Sequence, residues 1–111
     1  MEAKGEVIHI FLMDYKDGES PTFDAVVEDF GNLAQVTTTM KDMIWGINVS
    51  EENKDEGYTH IFECNFGTEQ EVIDYLASDA HQSMSSHMDI MDKVYGFDYV
   101  PIVVKSNVHK P

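Results

Sequence analysis

The fold turns on the stretch Val7-Ile8-His9-Ile10-Phe11-Leu12-Met13-Asp14-Tyr15. Successive side chains of an extended chain point to opposite faces, so Val7, His9, Phe11, Met13 and Tyr15 share one face and Ile8, Ile10 and Leu12 the other. Both faces are apolar, and a strand of that kind is covered on both sides. One layer of helices covers one side only. In a chain of 111 residues the second cover is expected to be another subunit, so this strand argues for a homodimer.

Outward from the strand, Asp17-Gly18 closes it, and Ser20-Pro21 reads as an N-cap followed by proline in a first helical turn. Phe23, Val26, Val27, Phe30, Leu33 and Ala34 then recur at helical spacing. The β-branched run Thr37-Thr38-Thr39 ends that helix. Met43 to Val49 reads as a second strand, and Ser50 as the cap of a helical turn that runs out at Gly57. Tyr58 to Phe66 reads as a third strand, with His60, Phe62, Cys64 and Phe66 on one face. Thr68-Glu69-Gln70-Glu71 is a capping box that opens a helix carrying Val72, Tyr75 and Leu76. Asp79 reads as the cap of a further helix with the stripe His81, Met84, His87, Met88 and Met91. Val94 to Val104 is the last strand, interrupted at Pro101.

Strand, helix, two strands, helices, strand is the order of a ferredoxin-like α+β sandwich. One domain is expected over residues 1–111, with a core at about 7–104 and polar tails at 1–6 and 105–111. The net charge is −14 and arginine is absent. Phosphate neutralisation needs clustered Lys and Arg, so nucleic acid is excluded as a partner, and anionic membrane surfaces are disfavoured for the same reason. A coenzyme A thioester would be repelled at long range. No run of eighteen apolar residues spans a membrane. The N-terminus Met1 to Glu6 lacks the apolar stretch of a signal peptide and is too acidic for a transit peptide. With one cysteine, Cys64, and therefore no internal disulfide, a cytoplasmic protein is expected. Cys64 alternates with Phe62 and Phe66, which argues for an inert buried thiol.

A series of short motifs runs the length of the chain: Val7 to Leu12, Tyr15-Lys16-Asp17-Gly18, Met40-Lys41-Asp42, Trp45-Gly46, Asn48-Val49-Ser50, Glu56-Gly57-Tyr58-Thr59-His60, Tyr75, Asp79-Ala80-His81 and Phe97-Asp98-Tyr99. Over roughly residues 7–101 this series resembles the plant-type stress-responsive dimeric α/β-barrel family, which holds both heat-stable stress proteins and a polyketide cyclase. The resemblance implies a dimeric barrel. It further implies a cyclase that closes a linear polyketide by intramolecular aldol condensation, with no metal and no other cofactor. On that pattern the acid/base pair falls on Tyr75 and His81, with His9 of the first strand and Asp98 of the last strand beside them. The lining for an apolar polyketide-like ligand falls on Phe11, Met13, Val27, Phe30, His60, Phe62, Met84, His87 and Met91. Phe30 stands where the cyclase has a pocket tyrosine, Ser78-Asp79 where it has His-Pro, Met84, His87 and Met91 where it has a different pocket lining, and Gly96 where it has a branched apolar residue, so pocket shape and substrate are expected to differ.

Each of these residues has a purely structural explanation as well. Tyr75 and His81 are six positions apart, which on an unbroken helix points them about 120° apart. A break at Ala77-Ser78-Asp79 would let them converge and would put His81 in the first turn of the next helix. There the helix dipole favours the neutral imidazole that a general base needs. Equally, His81 fits a core histidine held by partners, and Tyr75 a core tyrosine with its hydroxyl at the rim. A His9–Asp98 pair is as readily structural as catalytic, since a polar group on an apolar face needs a partner. The methionine stripe is adaptable core packing. A non-enzymatic stress or defence protein acting as a stable homodimer is therefore the competing expectation.

Overall fold

The computed structural model describes residues 2–3, 6–15, 22–88 and 94–105. Strand β1 is Glu2–Ala3, β2 is Val7–Met13, helix α1 is Phe23–Val36, β3 is Asp42–Ile47 and β4 is His60–Phe66. These are followed by helices α2, Glu69–Ala77, and α3, Asp79–Met88, and by strands β5, Val94–Tyr99, and β6, Ile102–Val103. The main sheet is antiparallel throughout, in the order β3-β4-β2-β5. With α1 linking β2 to β3 and α2–α3 linking β4 to β5, this is the ferredoxin-like α+β fold.

The helices pack on one face of that sheet. Val7, Phe11, Met13, Tyr15, Phe62, Cys64 and Phe66 meet Val26, Phe30 and Leu33 of α1, Val72 and Tyr75 of α2, and Met84 of α3 in one core. Burying each such side chain stabilises by roughly 1.5–3 kcal/mol. Among the described residues the opposite face carries no helix. On it Ile10 stands between Glu63 and Phe97, with Ile44 beyond Glu63, and Leu12 stands between Ile61 and Tyr95. Ile44, Phe97 and Tyr95 are 54%, 58% and 60% exposed in the single chain. Apart from Glu63, this is a largely apolar surface, and exposed apolar surface of that kind marks an interaction site.

Several local expectations are corrected. Helix α1 is capped by Thr22, whose hydroxyl accepts from the Ala25 amide at 3.3 Å, and begins at Phe23. The expected cap Ser20 and Pro21 lie outside the described residues. Ser50 starts no helical turn. Its hydroxyl accepts from the Glu52 amide two residues on, and the loop then turns through positive φ at Asn53, Glu56 and Gly57. That geometry belongs to turns rather than helices. The strands expected at 7–15, 43–49 and 58–66 are shorter or shifted, whereas the last strand divides into β5 and β6 around Pro101 as expected. The amino-terminal segment is not simply a tail, because Glu2–Ala3 pairs with Ile102–Val103. Among the described residues no helix is long and apolar enough to cross a membrane.

Candidate functional site

Helix α2 starts at the expected capping box: the Thr68 hydroxyl accepts from the Glu71 amide, and the Glu71 carboxylate accepts from the Thr68 and Gly67 amides. Its apolar stripe sets Val72 and Tyr75 into the core, each 2% exposed. The helix stops at Ala77, and Ser78 adopts an extended conformation, φ −66° and ψ 149°. Ser78, rather than Asp79, caps α3: its hydroxyl accepts from the His81 amide at 3.2 Å. This one-residue break brings the two rings together. Tyr75 and His81 stand edge to face with centroids 4.8 Å apart.

The sheet supplies the other half. His9, Cys64 and Met43 share a rung with Asp98, and His9 Nδ1 meets Asp98 Oδ1 at 2.6 Å. The His9 side chain is 10% exposed and that of Asp98 45%. The His9 ring lies 5.9 Å from the Tyr75 ring. A Cβ added at Gly96 would stand 3.5 Å from His9 Cε1, an ordinary van der Waals contact, so β5 packs directly beside the imidazole. Asp98, His9, Tyr75 and His81 thus form a continuous line from the sheet edge into the helix layer. At its outer end Asp98 borders a cleft of about 360 Å³ between α2 and the β2–β5 edge, walled by Val7, Val72, Ile73 and Val100.

The electrostatics of the line are those of a dry site. Burial, then the neighbouring His9, holds the His81 imidazolium below its ordinary range, and the Leu76 carbonyl opposes them. The cause expected from sequence was the α3 dipole, and burial takes its place as the leading cause. Among the described residues His81 Nδ1, which is buried, finds no hydrogen-bond partner, an exception among buried polar atoms. Burial, then Cys64, pushes the Tyr75 phenol up, so it stays protonated and keeps its proton to donate. Burial pushes the Cys64 thiol up to about 12, in keeping with an inert core cysteine.

The expected lining residues divide into groups. Phe11 stacks on Phe62 at 4.8 Å, and Phe30 lies 4.8 Å from Phe11 and 4.7 Å from Phe62. All three are buried with Met13 and Met84 in the core, and Val27 is half-buried on α1. His60 is not brought to His81. It sits four rungs along the sheet from Cys64, among Phe23, Trp45 and Tyr15, with Nδ1 2.7 Å from the Thr59 hydroxyl. Burial lowers its pKa too. The side chain of His87 and all of Met91 lie outside the described residues. Ser78 was missed as a site residue, and the signal for it was a hydroxyl in the break expected at 77–79. Among the described residues no group of three or more His, Cys, Asp or Glu is arranged to hold a metal ion.

Residues 7–101 match the model of the Stress Responsive A/B Barrel Domain. The chain belongs to this family. It is 40% identical to the stress-response A/B barrel domain-containing protein HS1 of Arabidopsis thaliana, over 93% of this chain and 96% of that protein. It is 34% identical to olivetolic acid cyclase of Cannabis sativa, over 86% of this chain and 96% of the cyclase. A crystal structure of an Arabidopsis thaliana protein superposes with a TM-score of 0.81 at 37% identity, covering 90% of this chain and 99% of that one. The A/B barrel fold is shared more widely. A hydroxynitrile lyase from Passiflora edulis has a TM-score of 0.79 at 23% identity, covering 91% of this chain and 97% of the lyase.

Proposed function

We propose that this A/B barrel protein is an acid–base enzyme of the cyclase type, closing a ring in a small polyketide-like carbonyl compound without a cofactor. The observation that carries this reading is the junction at 4.8 Å of a protonated phenol with a neutral imidazole whose Nδ1 finds no hydrogen-bond partner among the described residues. The neutral His81 ring takes a proton from an activated methylene of the substrate. The resulting carbanion forms the new carbon–carbon bond to a carbonyl of the same molecule. The oxygen of that carbonyl gains negative charge, Tyr75 holds it by hydrogen bond, and the proton on His81 returns to it. His9, tied to Asp98, supports the Tyr75 ring from the sheet side. Likeness to olivetolic acid cyclase supports the reaction class.

The test is a panel of linear poly-β-keto acids of increasing length, with cyclised product separated chromatographically. The wild-type chain is expected to accelerate closure of at least one member, and His81→Ala to abolish this while its melting temperature stays unchanged or rises, as residues held for function often cost stability. A panel closed no faster by wild type than by His81→Ala overturns the reading.

A second reading is favoured by the mutual packing of Phe11, Phe30 and Phe62, which leaves that part of the expected lining filled. On it the protein is a non-enzymatic stress-response homodimer. Both readings share the dimer, formed through the helix-free face of the sheet. Phe97 is 58% exposed in the single chain, so Phe97→Asp costs an isolated protomer little and a dimer much. Sedimentation equilibrium is expected to give a dimer for wild type and a monomer for Phe97→Asp. A wild-type monomer at micromolar concentration removes this part.

A further inference from the structure

We propose that Ser78 is the positioning residue of this site, its one hydroxyl tying the backbone of Tyr75 to the backbone of His81 and so setting how the two rings meet. The role of the rings rests on the acid–base reading; the tie itself does not. Ser78 Oγ donates to the Tyr75 carbonyl at 2.7 Å and accepts from the His81 amide at 3.2 Å. A serine hydroxyl has one proton to give and lone pairs to receive, so the group is satisfied in both directions by the two residues whose side chains converge. Ser78 is also the single residue between α2 and α3. Any change in its hydrogen bonding changes the angle between the helix that carries Tyr75 and the helix that carries His81.

The adjoining contacts act across the same break. The Ser78 amide donates to the Tyr75 carbonyl at 3.1 Å, and the Ser78 carbonyl accepts from the Gln82 amide at 3.0 Å. The Gln82 side chain reaches back to the Leu76 carbonyl at 2.9 Å. That carbonyl also acts on the His81 ring. The groups that face His81 are therefore Tyr75 and the Leu76 carbonyl from α2, and His9 from β2 with Asp98 behind it. Replacing Ser78 by alanine or threonine alters the charge of none of them. A moved His81 titration in such a variant reports a moved ring.

Side-chain chemistry separates the two halves of the tie. Alanine makes neither bond, threonine makes both, and aspartate accepts from the His81 amide as a helix cap but has no proton for the Tyr75 carbonyl. The experiment is histidine-ring NMR on the full chain, following the His81 titration and its nuclear Overhauser contact with Tyr75. Ser78→Ala is expected to shift the His81 midpoint upward toward that of an exposed histidine and to lose the contact, and Ser78→Thr to keep both. Thr68→Ala, which removes the cap at the far end of α2, is the control for general weakening. It is expected to lower the melting temperature and leave His81 where it was. An unmoved His81 in Ser78→Ala, or an equal movement in Thr68→Ala, overturns the proposal. If Ser78→Ala does not fold, Ser78→Asp decides. Loss of the Tyr75–His81 contact supports the tie, and its persistence overturns it. Displacement of His81 in a protein that closes no ring removes the acid–base reading and leaves the tie standing; turnover without displacement removes the tie alone.

Discussion

His9 Nδ1 and Asp98 Oδ1 meet at 2.6 Å across neighbouring strands, although the residues are 89 positions apart in the chain. The carboxylate accepts the Nδ1 proton, so in the neutral ring the tautomer is fixed and Nε2 is the acceptor. Asp98→Ala removes that constraint. The nitrogen shifts of the His9 ring are expected to move toward a mixture of tautomers, and urea unfolding to show a loss of about 1 kcal/mol, the net worth of such a bond at a half-open position. A His9 spectrum identical to wild type would show that the pair does not set the tautomer.

The pH dependence of stability follows from His60 and His81, both lowered by burial from an ordinary value of 6.5. As pH falls through 6.5 the unfolded chain takes up protons that the folded chain refuses. Their contribution is fully present above that value and is lost as pH falls from it toward the folded-state midpoints. Urea midpoints measured between about pH 7.5 and pH 5 are expected to decline, and the decline to be shallower in His81→Gln and shallower again in His60→Gln/His81→Gln. A double variant as steep as wild type would assign the decline to other groups.

Phe62 is fully buried and touches Phe11, Phe30, Phe23 and Trp45. Phe62→Ala is expected to cost about 3–5 kcal/mol in a denaturant titration, from lost transfer energy and the cavity left behind. A cost below about 1 kcal/mol would mean that the surrounding rings collapse into the gap.

The sheet and helices were legible because their signals are periodic: two-residue alternation in β2 and β4, and a reciprocal cap at Thr68 and Glu71. Where the reading failed, adjacent residues offered the same chemistry. Ser20-Pro21 satisfied a helix start that Thr22 supplies, and Asp79 satisfied a cap that Ser78 supplies. Ser50 reads as the cap of a helical turn, but its hydroxyl closes a turn with the amide two residues on. A strand as short as Glu2–Ala3 has no period to detect. At the site, the Tyr75–His81 approach was foreseeable from a helix break. The His9–Asp98 bond depends on strand register, where a slip of one residue sends every side chain to the other face. His60 carried the same family signature as the rest, yet it lies at the other end of the sheet.

The placement of β2 between β4 and β5 has a consequence for how the molecule comes into being. A chain made from its amino terminus exposes one edge of β2 until residues 94–99 have emerged, and pairings this remote in sequence are slow to close. Throughout that interval a strand apolar on both faces offers unpaired amides and carbonyls to any neighbouring chain. The same closure that seals the edge delivers Asp98 to His9. Chains truncated before residue 94 should therefore aggregate during synthesis, and chaperone demand should end at the moment the last strand docks.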